Sequence, residues 1–335
     1  PWSAGTFRTF AQIAEQAPEE VELPLDEHAP GRHVVRREPI GVCAAIIPWN
    51  VPLLMASWKV APAIAAGNSV VLKPASLTPL SALALADVAQ EAGLPPGVLN
   101  VLPGPGEVIG EHLASHPSVD KVAFTGSTEV GRRLMALAAP TVKPLTLELG
   151  GKSANIVLDD ANLDVAAGAV LWAAFTHSGQ ICEAGTRVLI QRPIYDDLRE
   201  LLASRAAAIR LGDPLDPATD LGPLASAGRA EHVARYAAIG RSEAGEPICG
   251  GTSPGYLPKD LDPAAFYPPT IFADVDNGSR LCQEEIFGPV IALVPFDSDD
   301  EAIELANNTI YGLAAGVQSG DLERARAIAR RLQAG

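Results

Sequence analysis

Short apolar runs rich in β-branched residues alternate, from Gly41 onward, with alanine- and leucine-rich stretches of helical length. The apolar runs predict strands at 41–47, 68–74, 98–104 and 121–126. The other stretches predict helices over 52–66, 78–91 and 128–139, and a short helix after residue 104. Thr78 and Pro79 suit the N-cap and the first helical position of the helix over 78–91. Alternation with short connections indicates a parallel sheet flanked by helices.

A second series of the same kind follows the paired glycines at 150–151, which we interpret as a crossover between two domains. Its predicted strands are 153–160, 187–191, 270–275 and 290–296, and its predicted helices are 163–175 and 195–210. The segments 212–223 and 249–269 are rich in turn-forming residues, and we predict loops there. A chain of 335 residues is also long for one core, which favours two domains.

Both ends of the chain depart from this alternation. Residues 6–17 look helical, and 21–25 and 31–39 predict two extended segments that form a hairpin. The end of the chain, 325–335, predicts a helix closed by glycine, after which a strand would naturally follow. We therefore expect a chain that is cut at both ends.

Composition narrows the class of protein. Hydrophobic residues make up 47% and charged residues 19% of the chain, which is typical of a folded globular protein. The formal net charge of −15 disfavours binding to nucleic acid or to an anionic membrane surface. No apolar run approaches the ~20 residues needed to span a bilayer, and the start does not resemble a signal peptide. We expect a cytoplasmic protein.

The four cysteines are widely scattered and form no CxxC pair, so we expect neither a metal site nor a disulfide framework. Cys182 lies in a polar loop bracketed by glycines, which favours a nucleophile over a buried structural thiol, although composition alone leaves both open. Glu148 ends an apolar strand. Burial there would raise its pKa toward that of a useful general base, whereas the alternative is a strand-end glutamate that faces solvent.

Two further features suit a nucleotide. The segment 124–131 passes from a strand through a glycine turn into a helix, whose N-terminus either binds a phosphate or is simply capped. Lys73 lies at the carboxyl end of a strand, where it either hydrogen-bonds a ribose or is solvated. Asn50, in a proline-locked turn, is an oxyanion donor or a turn residue. Glu285 and Phe287 clamp a ligand or begin a strand.

Taken together, these stretches resemble the aldehyde dehydrogenase superfamily. The matching motifs are PWNVPL (48–53), KPAS (73–76), FTGSTEVG (124–131), LELGGKS (147–153), GQICEAGTR (179–187) and EEIFGPV (284–290). The motifs follow one order across nearly the whole chain, so coincidence is a poor explanation for them.

The resemblance implies roles for individual residues. Cys182 falls on the nucleophile that forms a thiohemiacetal and then a thioester, and Asn50 and the Cys182 N–H fall on the oxyanion donors. Glu148 falls on the base that activates water for hydrolysis. The implied NAD(P) contacts are Ile47, Pro48, Trp49, Lys73, Ser76, Gly126, Ser127, Gly131, Leu149, Gly150, Glu285 and Phe287. The implied substrate pocket comprises Val51, Met55, Trp58, Phe175, Thr176, Ile181 and Glu183, although a tryptophan in an apolar helix such as Trp58 is more often core.

The resemblance also implies a fold class and a division of the chain. The fold would be α/β, with two parallel-sheet αβα domains. Residues 1–17 would form a helix of the cofactor domain, 18–37 part of an oligomerisation hairpin, 38–149 the Rossmann-like NAD(P) domain, and 150–335 an incomplete catalytic domain. The implied partners are a small aldehyde and further copies of the chain, as a dimer or tetramer.

Two positions refine the expected activity. Glu148 favours release of a free acid over transfer of the acyl group to coenzyme A. Ser76 stands where NAD-preferring relatives have a glutamate, so we expect NADP to be accepted, because a hydroxyl can donate to a 2′-phosphate. The alternatives are a CoA-acylating semialdehyde dehydrogenase, a cysteine hydrolase or acyltransferase of another class, and an inactive relative if the chain is truly short.

Overall fold

The computed structural model describes residues 1–23, 31–255 and 257–335, and the chain divides between Leu149 and Gly150 into two compact units. Part of the predicted hairpin, residues 24–30, lies outside the described residues. We call the units the N-unit, 1–149, and the C-unit, 150–335, and describe each by itself.

The N-unit is an α/β unit built on a parallel sheet. Its helices are α1 (Trp2–Gln16), α2 (Pro52–Ala65), α3 (Leu80–Glu91), α4 (Glu111–Ser115) and α5 (Thr128–Ala138). Its strands are β1 (Glu20–Glu22), β2 (Val34–Arg36), β3 (Val42–Ile46), β4 (Ser69–Lys73), β5 (Leu99–Val101), β6 (Lys121–Thr125) and β7 (Leu145–Glu148). The sheet has the order β5-β4-β3-β6-β7, and β1 and β2 form a separate antiparallel hairpin. The strands expected from the apolar runs are confirmed.

The central strand β3 shows why this sheet is covered on both faces. Ala44 and Ile46 belong to one hydrophobic cluster, whereas Ala45 and Ile47 belong to another. Successive side chains of a strand point to opposite faces, so the two clusters lie on the two sides of the sheet. A strand buried on both faces appears in the sequence as a continuous apolar run.

The start of α3 differs from our expectation. We expected Thr78 to cap this helix, but α3 begins after Pro79 without a side-chain cap. The Thr78 hydroxyl instead donates to the Trp49 carbonyl over 3.2 Å, which ties α3 to the turn after β3. A tertiary hydrogen bond has therefore replaced the local one.

The C-unit is built on a second parallel sheet, with the order β10-β11-β9-β8-β12. Its elements are β8 (Ala154–Val157), α6 (Leu163–Phe175), β9 (Arg187–Gln191), α7 (Tyr195–Ala207), α8 (Ala227–Ala244), β10 (Thr270–Phe272), α9 (Arg280–Gln283), β11 (Val290–Phe296), α10 (Asp299–Asn307), β12 (Ala315–Gln318) and α11 (Leu322–Ala329). In the described part of the chain, no helix has the length and apolar character needed to cross a membrane.

Four of these elements, α8, α9, α10 and β12, were absent from our sequence prediction. Helix α8 buries a narrow stripe of small residues, Ala230, Val233, Ala237 and Gly240, so it lacks the large apolar positions that mark an amphipathic helix. Strand β12 contains a glycine and no fully buried position. Both elements are stabilised by what they pack against rather than by strong local preference.

A buried arginine holds the C-unit together at the start of β9. Arg187 is 1% exposed, and its guanidinium donates to the carbonyl oxygens of Lys152 at 2.9 Å, Leu305 at 2.9 Å and Ala306 at 2.7 Å. It also donates to Asn277 Oδ1 at 3.1 Å. The last carbonyls of a helix have no partners within the helix, so Arg187 caps α10 from the adjacent strand.

Replacing two helical glycines by alanine should change the free energy of unfolding in opposite directions. A Cβ on Gly240 would lie 2.6 Å from Cζ of Phe272, whereas a Cβ on Gly168 would meet nothing within 4 Å. We expect Gly240→Ala to lower the free energy of unfolding by about 1–3 kcal/mol through overpacking. We expect the matched Gly168→Ala to raise it by about 1 kcal/mol, since alanine favours a helix. Urea unfolding of the two variants measures both changes, and equal midpoints would contradict this packing.

Candidate active site

The carboxyl ends of the N-unit strands bring most of the predicted nucleotide residues to one edge of the sheet. The segment 47–50 follows β3, Lys73 ends β4, Gly126 follows β6 and Glu148 ends β7. The main-chain N–H of Ile47 donates to the Lys73 carbonyl over 3.1 Å, and that of Gly126 to the Glu148 carbonyl over 3.1 Å. The carboxyl edge of an open parallel sheet is where such folds bind ligands.

Lys73 and Ser76 follow one another at this edge. Lys73 is only 4% exposed, and burial lowers the pKa of its amine. A Cβ on Gly106 would lie 3.8 Å from the Lys73 Nζ, so the amine faces the main chain of that turn. Ser76 is exposed, but its hydroxyl donates to the Gly104 carbonyl over 2.9 Å. The Ser76 hydroxyl therefore does not donate to a 2′-phosphate as we expected, because its proton already has an acceptor.

Glycines at the turn between β6 and α5 leave its main chain uncovered by side chains. A Cβ on Gly126 would lie 2.5 Å from the Phe124 ring, and a Cβ on Gly131 would lie 2.6 Å from Leu149 Cδ2. The Ser127 hydroxyl accepts a hydrogen bond from the Val130 N–H over 3.3 Å and so caps the helix. The remaining N–H groups of the first turn can receive an anion, so this edge fits a nucleotide phosphate.

The structure distinguishes between the two alternatives for Glu148, a buried carboxylate and a strand-end glutamate that faces solvent. Glu148 lies at the end of the edge strand β7, and its side chain is exposed. Leu145 and Leu147 instead pack against the hydrophobic cluster, so Glu148 points to the other face of the strand. The solvent-facing alternative therefore describes its position in the N-unit.

Lys59, which our sequence analysis did not single out, is electrostatically coupled to Glu148. It lies in α2 and is 9% exposed, and burial lowers the pKa of its amine to about 8, while the charge of Glu148 acts in the opposite direction. A lysine in the apolar stretch PLLMASWKVAPAIA was the signal that could have identified it. An amine with this pKa is mostly protonated at neutral pH and becomes neutral as the pH rises through about 8.

The turn after β3 and the helix α2 carry the remaining predicted residues of the N-unit. Asn50 is 8% exposed, and Val51 is half-buried at the N-cap of α2. Met55 belongs to a core cluster, whereas Trp58 is 52% exposed and lies outside the core. Of the two alternatives for Trp58, its exposure excludes a core position.

In the C-unit, the loop that precedes Cys182 adopts an uncommon backbone conformation. His177, Ser178 and Gly179 are consecutive left-handed residues, with φ values of 55°, 58° and 71°. The Ser178 hydroxyl donates to the Gly222 carbonyl over 2.8 Å, and Gln180 Oε1 accepts from the Ala225 N–H over 2.9 Å. Left-handed residues other than glycine persist only where tertiary contacts hold them, and they are common at functional sites.

The Cys182 thiol is half-buried, and its surroundings hold it protonated. Burial raises its pKa, and the charges of Glu183 and Glu285 raise it further. Hydrogen bonding by the main-chain N–H groups of Cys182 and Glu183 acts in the opposite direction. Because the thiolate is the nucleophile, this cysteine needs a base or a nearby positive charge before it can attack.

The paired glycines bring Glu285 and the Cys182 loop together. The Gly151 N–H donates to Glu285 Oε1 over 3.2 Å. A Cβ on Gly150 would lie 2.1 Å from Glu285 Oε2, and a Cβ on Gly151 would lie 2.4 Å from the Cys182 carbonyl oxygen. Burial raises the pKa of Glu285, against the effects of the Gly151 N–H and the cations Lys152 and Arg229.

The other predicted C-unit residues differ in accessibility. Ile181 is half-buried and Glu183 is exposed. Thr176 is also half-buried, and its hydroxyl donates to the Trp172 carbonyl over 2.5 Å. Phe175 is 3% exposed and belongs to the core cluster under α6 and α7, so it cannot border an entry tunnel as we expected.

The described side chains also bear on disulfides and metal sites. All four cysteines are free thiols: Cys43 and Cys282 are buried, and Cys182 and Cys249 are half-buried. Among residues 1–23, 31–255 and 257–335, no group of three or more His, Cys, Asp or Glu could hold a metal ion.

Comparison with known proteins agrees with these features. The aldehyde dehydrogenase family model matches residues 2–335. The chain is 45% identical over 336 residues to an aminoaldehyde dehydrogenase of Malus domestica, covering 99% of this chain and 65% of that protein. It is 46% identical over 329 residues to a geranial dehydrogenase of Castellaniella defragrans, covering 98% of this chain and 67% of that protein.

Solved structures give the same result. The crystal structure of a Staphylococcus aureus betaine aldehyde dehydrogenase in complex with NAD+ superimposes with a TM-score of 0.96 at 38% identity. The match covers 100% of this chain and 66% of that one, so the chain spans about two thirds of the length of its relatives. On these matches, the chain belongs to the aldehyde dehydrogenase family.

Proposed function

We propose that this protein oxidises an aldehyde to the free carboxylic acid with NAD or NADP, through a covalent intermediate on Cys182. The observation that carries the proposal is the Cys182 loop. Its strained backbone is held by tertiary contacts, and the main-chain carbonyl of Cys182 lies against Gly151, whose N–H donates to Glu285. The relatives named as aldehyde dehydrogenases, one of them solved with NAD+, support it.

The residues at the N-unit edge fit the adenine side of a dinucleotide. Lys73 would bond the ribose on that side, Gly126 and Ser127 would receive the phosphates, and Glu285 would bond the nicotinamide-side ribose. The remaining proposed contacts are Ile47, Pro48, Trp49, Ser76, Gly131, Leu149, Gly150 and Phe287. The cofactor, when bound, supplies the hydride acceptor and a positively charged ring.

We assign the remaining steps of the reaction to Cys182, Asn50 and Glu148. Cys182 Sγ gives its proton to a solvent water and bonds the aldehyde carbon, whose C=O double bond becomes a single bond, while the Asn50 amide and the Cys182 N–H would donate to the oxygen that becomes negative. Hydride leaving this carbon would be accepted by the bound cofactor, and the carbon would remain on Cys182 as a thioester. Glu148 then removes a proton from water, which attacks the thioester, breaks the C–S bond and releases the acid. Its exposed position in the N-unit suits a base that must meet solvent.

We further propose that Lys59 receives the proton that Glu148 takes from water. The charge interaction between the two side chains supports this path, and an amine with a pKa of about 8 is partly neutral near physiological pH. Neutral Lys59 accepts a proton, whereas charged Lys59 does not. The resting charge state of Lys59 would therefore set how quickly Glu148 recovers.

The relatives and the assigned side chains bear on the substrate class. The relatives are named for aminoaldehydes, betaine aldehyde and geranial, which are cationic or apolar, so their names select no single substrate. Most of the side chains that the resemblance assigns to the substrate are apolar and none is an arginine, which favours uncharged aliphatic or aromatic aldehydes over acidic ones. They are Val51, Met55 and Trp58 of the N-unit and Thr176, Ile181 and Glu183 of the C-unit. We also predict self-association through 18–37 as a dimer or tetramer, and a cytoplasmic location. The domain roles stay predictions for 1–17, 38–149 and 150–335.

Replacement of the base tests the covalent route. In Glu148→Gln we expect a burst of one NADH or NADPH per active site and then a steady rate about 100-fold or more below wild type, because the amide cannot remove a proton from water. Rapid-mixing absorbance at 340 nm and intact mass of the acylated protein measure both steps.

The cysteine variants provide the controls for this experiment. Cys182→Ala should give neither burst nor adduct, and Cys249→Ala, which removes another half-buried thiol, should behave as wild type. An unchanged steady rate in Glu148→Gln, or turnover that requires coenzyme A, would favour the CoA-acylating alternative instead.

The lowered pKa of Lys59 predicts a pH dependence. Because neutral Lys59 is the acceptor, the wild-type hydrolysis rate should rise as pH increases through about 8. In Lys59→Met this rise should disappear, and the rate should fall about tenfold or more. Steady-state rates from pH 6.5 to 9.5 show the difference. A rise of the same size in both proteins would contradict the role of Lys59.

Ser76 predicts cofactor choice. We expect NADP to be accepted, and Ser76→Glu to lower kcat/KM for NADP by about tenfold, because a carboxylate repels a 2′-phosphate. Ser76→Ala is the matched control. It should change little, since the hydroxyl already donates to Gly104. A wild-type kcat/KM with NADP about a hundredfold below that with NAD would contradict this expectation.

A further inference from the structure

Arg229, near the start of α8, reaches the main chain beside Glu285. Its Nη2 donates to the carbonyl oxygens of Ile286 at 3.0 Å and Phe287 at 3.2 Å. Its guanidinium carbon also lies 5.8 Å from the centre of the Phe287 ring. One cation therefore contacts two consecutive carbonyls and the side chain of one of these residues, in a segment that we call the 284–288 turn.

Two more residues on the same helix contact the ends of the 284–288 turn. The Tyr236 hydroxyl donates to Glu284 Oε2 over 2.6 Å. A Cβ on Gly288 would lie 2.3 Å from Val233 Cγ2, so that glycine permits the close approach of α8. Positions 229, 233 and 236 are four and three residues apart, which places them on one face of the helix. The whole turn is thus supported by one face of α8.

The turn needs this support because its backbone is strained. Phe287 has a φ of 57°, in the left-handed region that bulky residues rarely adopt. Such a conformation persists only where surrounding contacts determine it. Arg229 bonds the carbonyl of the strained residue and the carbonyl before it, so it acts on the dihedral angles that set the direction of both Glu285 and Phe287.

The 284–288 turn also contacts the nucleophile loop. A Cβ on Gly179 would lie 2.4 Å from the Gly288 carbonyl oxygen, and the Glu285 carboxylate accepts the Gly151 N–H on the other side of the turn. A change in the backbone at Phe287 would therefore move the carboxylate relative to the loop that holds Cys182. Contacts within the C-unit connect α8 to both.

We propose that Arg229 is a positioning residue, which holds the 284–288 turn so that Glu285 and Phe287 meet the nicotinamide half of the cofactor. This inference rests on the proposed function, because it assigns Arg229 an effect through residues proposed to bind NAD or NADP. Arg229 acts through the main chain of the turn and by its charge near Glu285. Lysine cannot replace it fully, because a guanidinium presents several donors in a fixed plane and an ammonium does not.

The experiment compares three variants of the protein. In Arg229→Met we expect the Kd for NADH or NADPH, measured by nucleotide fluorescence, to rise about tenfold or more, since hydrogen bonds from a charged donor are lost. Arg229→Lys should recover part of this loss and provides a measurement if Arg229→Met does not fold. Arg235→Met is the control: Arg235 lies on α8, is exposed and contacts His232, and its loss should leave the Kd unchanged.

A double-mutant cycle separates positioning from general damage. If Arg229 acts through Glu285, the effect of Arg229→Met on the Kd should shrink several-fold in a Glu285→Gln background, because the group it positions is already impaired. The KM for the aldehyde should change little. Full additivity, or an Arg229→Met variant with wild-type Kd, would overturn the inference. A wild-type protein that binds no dinucleotide would instead overturn the proposed function, and this inference with it.

Discussion

The absence of side chains at Gly150 and Gly151 is the constraint on which the C-unit site depends. Any side chain at Gly150 would occupy the position of the Glu285 carboxylate, and any side chain at Gly151 would collide with the Cys182 carbonyl. The N–H of Gly151 then bonds that same carboxylate. The main chain at 150–151 is therefore approached by the half-buried Glu285 carboxylate and by the Cys182 carbonyl, which the absence of side chains permits.

In the C-unit site, burial has the largest effect on the pKa values of Lys152, Glu285 and Cys182. Lys152 is 2% exposed, and burial lowers the pKa of its amine to about 8, while the charges of Cys282 and Glu285 oppose that shift. Glu285 shows the converse behaviour, since burial raises its pKa and nearby cations lower it. The Cys182 thiol has two carboxylates as neighbours and is kept protonated.

Parallel sheet geometry explains why motifs that are far apart in sequence belong together. Residues 48–53, 73–76, 124–131 and 147–153 each follow or end a strand, and parallel strands end at one edge. The strands of the N-unit were predictable because both faces of the sheet are covered, which leaves long apolar runs in the sequence. In contrast, α8 and β12 have weak local signals, and their partners lie far away in the chain. The Arg229 contacts with 286–287 could not be expected for the same reason.

The sequence by itself determined the alternation of strands and helices, the two-part division of the chain and, through its motifs, the family. It also marked Cys182, Lys73 and the 124–131 turn, because local glycine and strand-end patterns carry that information. Tertiary structure decided which of these groups are buried. It exposed Glu148, placed Phe175 in the core, gave the Ser76 hydroxyl an acceptor at Gly104 and coupled Lys59 to Glu148. Burial and charge coupling depend on residues distant in sequence, so no local pattern encodes them.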